Sequence, residues 1–227
     1  MIRGGLASIS EPALLNKANR VAIRAENGVW EILAFRWADE VAPGHWELAG
    51  LLRGLCGTED AMAAGAEIGA PFVVLDDAVR GLGIGPDEAG LTLNWLAEAV
   101  GSGGGRVGPV VFSGGIRAET PFSPVHLRAE RTGGGIRLSW VRRSRFVRDA
   151  WSGDDIPLDE ETEAYRVDIL DGDTVVRTMH VAEPEALYAD AMELADFGGP
   201  QAEIAFRVRQ RGTAVALGIP AERRVTL

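Results

Sequence analysis

The sequence predicts a mainly β protein in two parts. A β-rich N-terminal domain spans residues 1–112, a linker 113–121, and an immunoglobulin- or fibronectin III-like β-sandwich 122–227. Three observations carry this prediction. Short runs with apolar residues at every second position recur along the chain, the period of half-buried strands. Glycine punctuates these runs, with 29 in 227 residues. After residue 122 the runs follow one another with turn residues at close spacing, the outline of a seven-stranded sandwich.

In the first part, Val21 and Ile23 alternate through residues 19–26, and Trp30, Ile32 and Ala34 alternate through 29–37. Asn27-Gly28 between them predicts a two-residue hairpin turn, because a type I′ turn needs positive φ at both central positions. Further strands are expected at 45–52, 71–75 and 107–113. A short Ala-rich helix is expected from Thr58, with Glu59 and Asp60 in its first turn. Gly101-Ser102-Gly103-Gly104-Gly105 reads as a flexible loop or linker.

In the second part, strands are expected at 125–131, 136–143, 164–170, 174–180, 202–209 and 223–227. They are separated by Gly133-Gly134-Gly135, by a type I′ turn at Asp171-Gly172, and by Gly198-Gly199-Pro200. Inward positions are Leu138 and Trp140, Tyr165, Val167 and Ile169, and Ile204, Phe206 and Val208. Phe206 stands where a fibronectin III penultimate strand carries its corner tyrosine, so the corner hydroxyl is missing. Residues 185–197 place Leu187, Tyr188, Ala191, Met192 and Leu194 at helical spacing. Sandwich context instead predicts a strand followed by an irregular corner.

Composition excludes several functions. Residues 1–118 carry 9 Lys+Arg and 14 Asp+Glu, residues 119–227 carry 14 and 19, and the whole is −10. Net charge therefore argues against a nucleic-acid partner in either half. No apolar run approaches the ~20 residues of a membrane-spanning helix, and the N-terminus lacks a signal-peptide core, so neither a membrane span nor Sec-type export is expected. The single Cys56 excludes an internal disulfide, and His45, His126 and His180 are too scattered for a zinc site. The glycine-rich run lacks the Lys-Ser/Thr of a phosphate loop, and Asp168, Asp171 and Asp173 do not fit a calcium-loop spacing. No G-x-S-x-G elbow is present, and no carboxylate pair is singled out. The expectation is a protein that is not an enzyme, with no catalytic residue, no metal and no cofactor.

Two stretches carry more specific information. One is Leu51-Leu52-Arg53-Gly54-Leu55-Cys56-Gly57-Thr58-Glu59, preceded by Trp30-Glu31-Ile32-Leu33-Ala34-Phe35 and followed by Gly69-Ala70-Pro71-Phe72-Val73-Val74-Leu75. The other is Ser139-Trp140-Val141-Arg142-Arg143-Ser144-Arg145, with Trp151, Ile156-Pro157-Leu158 and Ala195-Asp196-Phe197-Gly198. Together they resemble the C-terminal region of the host-specificity or "megatron" proteins of gene transfer agents and of related phage tail-tip hub proteins, over essentially the whole chain. Members of that family are longer, with hub domains and a hydrolase-like barrel upstream. Activities of those parts, including peptidoglycan cleavage, are not carried onto these residues. The resemblance implies a structural component of a phage-like tail tip or baseplate, located in the virion or particle. It would contribute to assembly and to host cell-surface engagement. Its partners would be other tail-tip subunits and host cell-surface polysaccharide. The alternative is a carbohydrate-binding module of a cell-wall-directed enzyme.

Candidate interface residues are Arg142, Arg143, Arg145 and Trp151. The arginines, with Arg148, precede Asp149, Asp154, Asp155, Asp159, Glu160, Glu161 and Glu163. Such neighbours either pair locally and order the loop, or present an arginine patch to a subunit or an anionic surface polymer. Trp151 reads either as a lid over the sandwich end or as an exposed stacking aromatic.

Overall fold

A computed structural model describes residues 5–85, 87–99, 105–146 and 156–227. The chain is mainly β and divides into two compact units, Met1–Leu82 and Gly83–Leu227. The division falls inside residues 1–112, the range that the sequence assigns to the first domain. Among the described residues no helix is long and apolar enough to cross a membrane.

The first unit opens with α1 (Glu11–Leu15), whose N-cap Ser10 Oγ accepts the Ala13 N–H. It continues through β1 (Arg20–Arg24), β2 (Trp30–Ala34), β3 (Trp37–Ala42), β4 (His45–Ala49), β5 (Leu52–Leu55), α2 (Glu59–Ala64) and β6 (Phe72–Val74). One antiparallel sheet has the order β5-β2-β1-β6, and β3 pairs with β4. Val21, Leu33, Phe35 and Ala38 form the buried core, against which Ile23, Trp46 and Val74 pack. The expected β1–β2 hairpin is present, but its turn differs. Ala25 N–H bonds the Val29 carbonyl around a three-residue loop, and of Asn27 and Gly28 only Gly28 has positive φ. The Asn27 side chain explains the longer loop, because its Oδ1 accepts the Val29 N–H at 3.0 Å and turns the backbone locally.

The Arg53-Gly54 stretch is a structural staple. Glu31 on β2 is 1% exposed, and its carboxylate accepts Arg53 Nε at 2.9 Å and Nη2 at 2.6 Å. The Gly54 N–H adds a third bond at 3.2 Å, made with Gly54 at φ +63. Thr58 does not cap α2 through its side chain. Its hydroxyl donates to the Leu55 carbonyl and accepts the Ile32 N–H, tying the β5–α2 turn to β2. Arg53→Ala leaves the Glu31 carboxylate buried without its cation. Because the Arg53 side chain is 41% exposed, water replaces part of the interaction, and the expected loss is about 2 kcal/mol in chemical denaturation rather than the full cost of breaking a buried pair.

The second unit begins with β7 (Thr92–Glu98), β8 (Arg106–Ser113) and α3 (Ile116–Glu119). The expected linker, 113–121, thus holds a short helix. Then follow β9 (Val125–Thr132), β10 (Gly135–Val141), β11 (Tyr165–Asp171), β12 (Thr174–Val181), β13 (Glu185–Ala189), α4 (Asp190–Phe197), β14 (Glu203–Gln210) and β15 (Ala221–Thr226). They build the predicted seven-stranded sandwich from a sheet of order β13-β10-β9 and one of order β12-β11-β14-β15. The core lies between the sheets. Leu127, Ile136, Leu138, Trp140 and Tyr188 meet Tyr165, Val167, Ile169, Ile204, Phe206 and Val208, so the period-two inward faces lie where the sequence puts them. The β11–β12 turn consists of Gly172 and Asp173, flanked by the Asp171–Thr174 pair. Only Gly172 has positive φ, which is the pattern of a type II′ rather than a type I′ turn.

Residues 185–189 form the expected strand, β13, and the irregular corner expected after it is the helix α4. Two carboxylates one turn apart pin this helix to opposite sheets. Glu193 is bidentate to Arg131 of β9, at 2.7 and 2.9 Å, and accepts the Gln201 N–H. Asp196 is bidentate to Arg177 of β12, at 2.6 and 2.8 Å, and accepts the Tyr188 hydroxyl. The bond to Arg131 holds the Glu193 carboxyl below its ordinary range, and the bond to Arg177 does the same for Asp196. Because both folded values are depressed, their stabilisation is complete above the ordinary carboxylate pKa of about 4 and is lost as pH falls through the depressed values. Thermal unfolding is therefore expected at a lower Tm at pH 3 than at pH 7, with a smaller difference in Glu193→Gln.

Candidate functional site

The β7–β8 hairpin stands apart from the four- and three-stranded sheets as a two-stranded ribbon. Its sequence is apolar and almost uncharged. Thr92 to Ala97 and Val107 to Ser113 contain no ionisable side chain, and the only charges, Glu98 and Arg106, face each other at 3.6 Å toward the connecting loop. Of the loop or linker expected at Gly101-Ser102-Gly103-Gly104-Gly105, residues 101–104 lie outside the described residues.

The pairing is antiparallel, with Leu93 opposite Phe112 and Trp95 opposite Val110. Those four side chains share one face, where the Trp95 and Phe112 rings stack with centroids 5.4 Å apart. Asn94 and Val111 occupy the other face. No third strand joins β7 or β8 among the described residues, so both outer edges keep unpaired backbone groups, although Pro109 of β8 has no N–H to offer. Every residue of β8 is exposed, with Val107 at 68%, Val110 at 54% and Val111 at 58%. The Trp95 indole N–H is shielded from solvent and has no hydrogen-bond partner among the described residues. This arrangement can hold an extended segment through its backbone edges and an apolar surface through its faces.

The arginine loop is arranged differently. Arg142 is 14% exposed, and its guanidinium donates to the Ile156 carbonyl and, at 3.1 Å, to Glu163 Oε1. Arg145 is 9% exposed and pairs with Glu160 at 2.8 Å. Asp159 accepts the Ser144 hydroxyl at 2.6 Å and the Arg145 N–H. The Arg143 guanidinium lies over the Phe122 ring, 5.1 Å from its centroid. Arg142 and Arg145 are thus held by neighbouring acidic groups, the local pairing that the charge pattern allows. Trp151 lies outside the described residues, as do Arg148, Asp149, Asp154 and Asp155. Cys56 is exposed at φ +57, within the turn that follows β5.

A family model described as "Rcc01698-like, C-terminal" matches residues 1–73. By its name the family has a loose connection with gene transfer agents. The match contains the Trp30–Phe35 and Leu51–Glu59 stretches, whose residues form the Glu31–Arg53 staple, and it stops within β6. The resemblance read along the whole chain is therefore matched over its first third, and residues 74–227 lie outside the match. No curated protein matches the chain.

Proposed function

We propose that the chain is a structural, non-catalytic component of a phage-like tail tip or baseplate, of a gene transfer agent or a tailed phage. It works by binding other tail subunits and contributes to engagement of the host surface. The observation that carries this reading is the β7–β8 hairpin. A two-stranded ribbon is marginal in water by itself, and exposed apolar edge strands are ordinarily blunted by charge or covered. This one has neither protection among the described residues, so it gains most by accepting a neighbouring subunit. The partner fitted to it is an extended segment that pairs with an open edge, its alternate side chains lying beside Val110 on one face and Val111 on the other. The family match at residues 1–73, with its loose connection by name to gene transfer agents, supports this setting.

Because the Val110 side chain is exposed, Val110→Asp should leave the unfolding transition within about 0.5 kcal/mol of wild type. A charge placed there would meet the partner's apolar surface. Incorporation into particles, measured by quantitative immunoblot of purified particles from a complemented deletion strain, should fall at least about tenfold, the effect of roughly 1.4 kcal/mol. Wild-type incorporation of Val110→Asp would remove the hairpin from the assembly surface.

A further inference from the structure

We infer that the seam between β9 and β15 is a binding site for an acidic saccharide, one carrying carboxylate or phosphate groups. β9 and β15 are the edge strands of their respective sheets. Where they meet, a groove of about 450 Å3 is lined by Arg128, Arg137 and Arg223 against a single acidic residue, Glu130. Three arginines and one glutamate converge on a chain whose net charge is −10.

Each arginine has a distinct position. Arg128 stands opposite Ser139, and Arg137 opposite Glu130, in the β9–β10 register, so these four side chains share one face of the sheet. The Arg137–Glu130 pair is long, at 3.5 Å, and both side chains are exposed, which leaves most of the Arg137 guanidinium available. Arg223 reaches from β15 to the edge of β9, where Nη1 donates to the Leu127 carbonyl. That bond fixes the guanidinium in place without neutralising it. Among the described residues, neither Arg128 nor Arg223 has an acidic partner.

The ligand class follows from these groups. Guanidinium forks match carboxylate and phosphate oxygens. The Ser139 hydroxyl and the edge backbone of β9 suit the hydroxyls of a sugar. The volume is that of a small-molecule site. A nucleic acid fits less well, because the remaining surface of the chain is acidic and repels a continuous phosphate backbone. The arginine cluster at 142–145, which charge pattern alone singles out, is not this site.

The assignment rests on the tail-tip reading only for the source of the saccharide, a bacterial surface. The test uses the full chain in isothermal titration at low salt, with a polygalacturonate oligomer, a phosphorylated dextran, neutral dextran and a short DNA duplex as probes. Saturable binding of either acidic probe and none of neutral dextran is expected. Arg128→Ala should weaken it at least about tenfold, while Arg24→Ala, the same charge change in the first unit, should leave it unchanged. Arg223→Lys keeps the charge but loses the fork, and should weaken binding in a chain whose unfolding transition is retained. No binding of either acidic probe, equal binding of neutral dextran or duplex DNA, or equal weakening by Arg24→Ala would overturn the site. None of these outcomes bears on incorporation of the hairpin variant, so the site and the assembly role fail separately.

Discussion

Trp140→Ala is expected to lower the unfolding free energy of the second unit by about 3 to 5 kcal/mol, the cost of deleting a large aromatic from a packed core. Trp140 sits on β10 at 4% exposure, with its ring edge-on to Tyr165 at 5.2 Å and an interplanar angle of 71°. Its removal deletes apolar contact on one sheet and an aromatic partner on the other. Both inner faces lose at once. Urea denaturation followed by far-ultraviolet circular dichroism measures the change. A loss below about 1 kcal/mol would mean that the two sheets do not close on Trp140.

Gly135→Ala is expected to be nearly as damaging, at about 3 kcal/mol or more, for a different reason. Gly135 opens β10 at φ +142, directly opposite Ala189 of β13. A Cβ there would lie 2.3 Å from the Tyr188 carbonyl oxygen and 2.7 Å from Ala189 Cα. Both obstacles are backbone, so no rotamer change relieves them and β10 must separate from β13. Strain at the positive φ adds to the clash. Gly133 provides the internal comparison, since a Cβ there meets nothing within 4 Å. Gly133→Ala should therefore change stability by no more than about 0.5 kcal/mol. Equal effects at the two positions in the same denaturation assay would contradict the β10–β13 pairing.

The sandwich was legible because its information is local. Tyr165, Val167 and Ile169, or Ile204, Phe206 and Val208, alternate within one strand, and burial follows the alternation. The helical spacing of Leu187, Tyr188, Ala191, Met192 and Leu194 runs across two elements: Leu187 and Tyr188 lie on β13, the strand that sandwich context predicts, and Ala191, Met192 and Leu194 lie on α4. The anchors of α4 are distant in sequence. Glu193 binds Arg131, 62 residues away, and Asp196 binds Arg177, 19 residues away. Such long-range pairs leave no mark on local spacing. The Arg53-Gly54 turn was visible as a motif, whereas the carboxylate that requires it, Glu31, lies 22 residues earlier on another strand. The hairpin was half visible. The second strand is the one expected at 107–113, but Leu96 and Ala97 interrupt the alternation of the first, and the register shift between Trp95 and Ala97 is the structural counterpart of that break. The seam groove had no sequence signal, because Arg128, Arg137 and Arg223 meet only when the two sheets pack.

The central claim, that this chain is a tail-tip component, is tested most directly by finding where it resides. Particles purified from the producing cells by density gradient are analysed by quantitative mass spectrometry, and an antibody to the second unit is used for immunogold labelling of the same fractions. The account predicts that the chain co-sediments with the tail proteins at low, fixed stoichiometry and that gold marks the end of the tail distal to the capsid. A chain that is missing from the particles and recovered only as free protein would contradict it.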